Sequence, residues 1–95
     1  MKIPKKLKIG NLVYKIGALA QESEDDYYGR GFAFNQWIKL SPRISQECKE
    51  ETLFHEIIHL ILEQQGFREE SKDEKLISVL SAGIYQVLKD NKLLK

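Results

Sequence analysis

The stretch from Gln46 to Gln65 constrains this chain more than any other. At about 100° per residue, Leu53, Phe54, Ile57, Ile58, Leu60 and Ile61 cover much of the circumference, and only Lys49, Glu56 and Glu63 form a plainly polar strip. A helix apolar around so much of its girth must be covered on more than one side, so the pattern predicts a central helix over 46–65. Ser45 suits the N-cap, Glu47 sits in the first turn, and Gly66 is a natural residue to end it. With 95 residues in the chain, whatever covers this helix has to be small.

The residues before it read as sheet. Leu7 and Ile9 alternate with Lys6 and Lys8, Gly10–Asn11 marks a turn, and the pattern resumes at Leu12, predicting a hairpin with strands over 6–9 and 12–18. The acidic stretch from Gln21 to Gly31 reads as a loop, with room for a ragged strand at its end. Alternation returns in Phe32, Phe34, Gln36, Ile38 and Leu40, which predicts a third strand over 32–40. Its mixed polarity places it at the edge of the sheet, where Lys39 would protect it and an extended peptide could pair with it, and Ser41–Pro42 stops it. A second helix is predicted over 72–90, opened by a Ser71–Glu74 capping box. Leu76, Ile77, Leu80, Gly83, Ile84, Val87 and Leu88 form its expected packing face, beside a second stripe of Glu74, Ser78, Ser81 and Tyr85. The expected fold is therefore a single α+β domain over 1–95: a small antiparallel or mixed three-stranded sheet packed on the central helix and on a second C-terminal helix.

Charge and composition exclude several roles. Fifteen Lys+Arg against fourteen Asp+Glu leave a net charge of +1, which lacks the basic excess of a nucleic-acid-binding domain. No apolar run approaches the roughly 20 residues that cross a bilayer. The lysines near the N-terminus have no apolar core behind them, so no signal peptide is expected. A single cysteine, Cys48, precludes an intrachain disulfide and fits a reducing, cytoplasmic setting.

The chemistry lies in His55-Glu56-Ile57-Ile58-His59, which holds both histidines of the chain. Histidines at i and i+4 project from one helix face, so both imidazoles can reach one ion at about 2.0–2.1 Å. Glu56 points beside such an ion, where a base must stand to take a proton from water activated there. The alternative is two core histidines, each needing its own hydrogen-bond partner, with Glu56 an ordinary surface residue. A third ligand must come from elsewhere. Cys48 lies about 10 Å back along the helix axis, and Glu51 sits on the wrong side of the pair. From the second helix Glu74 is favoured over Asp73, because its longer side chain crosses a helix–helix gap that Ser78 and Ser81 allow to be narrow. The capping box competes for the same carboxylate, and Glu69 and Glu70 are outside candidates. Tyr27, Tyr28, Arg30 and Trp37 are candidates for substrate or oxyanion contacts, whereas Tyr85 is too far along its helix.

With these residues the chain resembles the minimal zincins, in particular the small phage- and prophage-type zinc metallopeptidase-like proteins, and more distantly the ImmA/IrrE-type metallopeptidases. The likeness runs through Lys8-Ile9-Gly10 and Tyr14, the Gly31 region leading to Ile38-Lys39-Leu40, Thr52 to His59, and Glu74 with the helix ending Gln86 to Asn91. It implies a zincin arrangement with a small sheet on the motif helix, Zn2+ held by His55, His59 and Glu74, and Glu56 as base. It further implies hydrolysis of peptide bonds in a protein or peptide substrate, in a bacterial or phage-infected cytoplasm. The chain lacks the helix that precedes the sheet in larger zincins. Two other classes compete: a non-enzymatic interaction module that keeps a zinc site for stability, and a metal-free α+β adaptor. An intact Glu56 favours the enzyme, since a purely structural site has no use for a base.

Overall fold

A computed structural model, describing residues 1–19, 28–32 and 35–94, shows an α+β fold with one four-stranded mixed sheet. Lys6–Ile9 (β1) and Leu12–Ala18 (β2) form an antiparallel hairpin around Gly10–Asn11, with Leu7 opposite Tyr14. Period-two alternation turns Ile9 and Tyr14 inward and leaves Lys6, Lys8, Val13 and Lys15 outside.

The strand expected over 32–40 is instead two strands, Gly29–Phe32 (β3) and Trp37–Leu40 (β4), and the sheet has four strands rather than three. They pair antiparallel, and β4 lies parallel to β2, giving the order β1-β2-β4-β3. Alternating side chains disguise the break. At Gln36 the backbone enters the left-handed region, φ 56°, and its side chain donates to the Val13 carbonyl at 2.8 Å, so the polar pair Asn35–Gln36 makes a turn. The predicted edge position also shifts: β4 is internal, and β3 occupies the edge. Ile38 and Leu40 of β4 are buried towards the helices, whereas Trp37 lies on the other face with the Lys15 and Lys39 ammonium groups 5.5 and 5.4 Å from its ring centre.

Gln46–Gln64 (α1) begins at Ser45, whose Oγ accepts from the Cys48 N–H at 3.1 Å, and ends before Gly66, whose φ of +85° suits a residue without a Cβ. Leu53 and Leu60 of α1 join Ile9, Tyr14, Ile38 and Leu40 in the core, with Met1, Ile3, Leu7, Ile16 and Ile57 packed around it. Gln64 donates to the Ile9 carbonyl and to Tyr14 Oη, tying the end of α1 to the hairpin.

Two expectations fail beyond α1. Arg68–Ser71 winds into a one-turn helix (α2), and the last helix, Glu74–Asp90 (α3), is capped by Asp73, which accepts from the Leu76 N–H at 3.1 Å. The Ser71–Glu74 capping box does not form, because α2 carries Ser71 into the interior. The packing face of α3 is also not the one expected. Ile77, Ser81 and Tyr85 are buried, while Leu76, Leu80, Ile84 and Val87 face outward. The small serines let α3 lie close to α1, where Tyr85 stacks 5.9 Å from Phe54 and donates to the buried Glu50 carboxylate. Among the described residues, no helix is long and apolar enough to cross a membrane.

Candidate metal centre

One helical turn separates His55 from His59 on α1, and their Nε2 atoms stand 3.2 Å apart. Glu74, the first residue of α3, closes a triangle over them, with Oε2 3.1 Å from His55 Nε2 and Oε1 3.0 Å from His59 Nε2. The cluster thus spans two helices. Ligands bonded to zinc at about 2.0–2.1 Å in a tetrahedron lie about 3.3 Å from one another. The separations of 3.0–3.2 Å are of that order. The two histidines meet different oxygens of Glu74, and one ligand atom from each side chain lies within 4.8 Å of the others, so the three form a group able to hold a divalent ion. Glu74 is 67% exposed, so the cluster is reached from solvent on the side of α3.

Ser71 orients one ring. Its Oγ reaches the His59 backbone carbonyl at 3.4 Å and His59 Nδ1 at 3.1 Å. With its proton directed at the carbonyl, the hydroxyl accepts from Nδ1–H, which assigns the tautomer that leaves the Nε2 lone pair facing Glu74. Two imidazole nitrogens and a carboxylate at this distance can share protons or together attract a divalent cation. No sequence pattern marks Ser71 for this role, because it depends on the turn of α2.

Glu56 stands beside the triangle, half-buried, on the wall shared by two cavities. One, of about 620 Å³, is lined by Arg30, Gly31, His55, Glu56, His59 and Glu74, among others. The second, of about 460 Å³, lies on the other side of His55 and includes Tyr28, Cys48, Glu51, Thr52 and Ser78. Burial pushes the Glu56 carboxyl above its ordinary range, against the pull of both histidines and of a hydrogen bond from the Gly31 backbone. Gly31, at the end of the loop-like stretch where a ragged strand has room to form, brings β3 against this carboxylate: a Cβ there would stand 3.1 Å from Glu56 Oε1.

The other candidates divide. Tyr28 and Arg30 line the cavities on either side of His55. Trp37 does not meet the site, since β4 turns it to the far face of the sheet. Asp73 is occupied by its capping bond. Tyr27 lies outside the described residues. Cys48 and Glu51 reach a cavity but not the triangle.

The geometry defines a class: an α+β protein with a two-helix His/His/Glu cluster compatible with a divalent metal. No family model, curated protein or solved structure matches the chain.

Proposed function

We propose that the chain is a zinc-dependent peptide hydrolase of the zincin kind, with His55, His59 and Glu74 holding the ion and Glu56 acting as base. The observation that carries this reading is the cluster of two imidazole nitrogens and one carboxylate, one ligand atom from each lying within 4.8 Å of the others. When bound, the ion would supply Lewis acidity, polarising a carbonyl and acidifying water. The residues of the chain do the rest. Glu56, raised above its ordinary range by burial, takes the proton of the attacking water and hands it to the leaving amine. The Gly31 N–H holds the Glu56 carboxylate on the side of the triangle that faces β3. β3 ends the sheet, so an extended peptide could lie along its outer edge and bring its scissile bond to the cluster. Arg30 and Tyr28, which line the flanking cavities, would meet the carbonyl oxygen as charge builds on it.

The test joins metal content to turnover. Wild-type protein should take up one zinc per chain and cleave members of a peptide mixture. His59→Ala should lose the metal. Glu56→Gln should keep it and lose cleavage by at least about 100-fold, within the range of general-base effects. The Gln variant removes a charge that burial disfavours, so its fold is not at risk. Zinc retention with cleavage equal to wild type would overturn the assignment of Glu56. Zinc binding without any cleavage by wild type would favour a metal-stabilised interaction module.

A further inference from the structure

The side of α3 turned away from the core is apolar. Val79 is 64% exposed, Val87 49%, Ile84 43%, and Leu76 and Leu80 41% each. Leu80, Gly83, Ile84, Val87 and Leu88 outline a shallow groove of about 310 Å³. On helical geometry the five exposed side chains and Gly83 form one stripe along the 17-residue helix. We infer that this stripe is the two-fold interface of a homodimer, formed by antiparallel packing of α3 on α3 of a second copy.

Three features select a second copy as the occupant. First, the stripe is self-complementary. An axis midway between Leu80 and Gly83 sets Leu76 against Val87 and Leu80 beside Gly83 along the midline of the contact, with Val79 and Ile84 on its two flanks. A Cβ at Gly83 would meet nothing within 4 Å, so Gly83 leaves a hollow for Leu80 of the second copy. Second, the charges match. Lys75 and Asp90 lie on the same flank of the stripe at opposite ends of α3, and the antiparallel copy brings each Lys75 towards the other Asp90. Gln86, on that same flank, donates to Asp90 at 3.0 Å. Third, the apolar area is of the right order. A stable interface takes about 800 Å² from each partner, somewhat over half of it apolar, and the stripe offers on the order of 400 Å² of apolar surface. Glu74 lies half a circumference away from Gly83, so the metal cluster stays open in the dimer and the inference does not depend on the proposed hydrolysis.

Sedimentation equilibrium on the full chain, from about 1 to about 200 μM with and without zinc, tests this. Wild type should sediment as a monomer–dimer equilibrium. Val79→Lys and Gly83→Leu, both on open surface, should each raise the dissociation constant at least roughly tenfold with helical circular dichroism intact. Lys75→Asp should weaken the dimer, and adding Asp90→Lys should restore it. A wild type that stays monomeric throughout overturns the inference, including the case where it instead binds lipid vesicles through this face. A dimer of undiminished strength in folded Val79→Lys and Gly83→Leu overturns it as well.

Discussion

Between α1 and α3, the buried Glu50 carboxylate accepts from the Tyr85 hydroxyl at 2.9 Å and from Gln46 at 3.0 Å. Burial alone would raise this carboxyl, but the donors around it prevail and hold it below its ordinary 4.5. Burial, followed by the hydrogen bond and charge of Glu50, pushes the Tyr85 phenol above 10.0. The signs define a window. A depressed carboxyl stabilises the fold fully above about pH 4.5, and that support is lost as pH falls through the lower folded value. A raised phenol stabilises it below about pH 10, and that support is lost as pH rises through the higher folded value. Tyr85→Phe should therefore cost about 1–3 kcal/mol at pH 7, and less at pH 3, as read from urea midpoints at the two pH values. Ser71 offers a second single-residue test. Ser71→Ala frees the His59 ring to turn, so zinc affinity should fall about 10-fold or more in a competition titration with a chromogenic chelator.

At the scale of an element, β3 shows why a short segment can be hard to read and still matter. Gly-Arg-Gly-Phe carries no alternating apolar pattern and reads as the tail of a loop. Its glycines let the edge strand press against α1: a Cβ at Gly29 would stand 2.5 Å from Thr52 Cγ2, and one at Gly31 would crowd Glu56. Gly31→Ala should displace the Glu56 carboxylate and lower peptide cleavage about 10- to 100-fold, while zinc content measured by atomic emission stays at the wild-type level. The hairpin around Gly10–Asn11 and the start of α1 at Ser45 were legible because each is fixed by neighbours in the chain. The face of α3 was not. Its apolar arc is wider than the serine stripe, but the buried carboxylate on α1 recruits Tyr85, and with it the narrower face. A count of apolar residues cannot register that preference.

For the molecule as a whole, the histidine pair was visible because i and i+4 spacing is local, and Glu74 because the serines beside it foretell a close helix crossing. The route of the chain between them was not, since α2 exists only in the tertiary context that buries Ser71. An ion held between α1 and α3, as proposed, would tie the two helices together, and in so small a core it should raise stability visibly. Zinc at about 100 times its dissociation constant would add about 2.7 kcal/mol, a rise in melting temperature on the order of 10 °C for a chain of this size. Calorimetry with zinc and with a chelator measures it, and identical melting curves would exclude an ion held by both helices.

The split of the cluster across two helices also sets a timetable. Both nitrogens are in place once α1 has wound, but the carboxylate arrives only when α3, last in chain order, has seated. If the cluster holds an ion as proposed, a half-folded chain would grip it by the two histidines at most and would lose it to a competing ligand. On the proposed reading, tight retention would then mark the finished molecule alone.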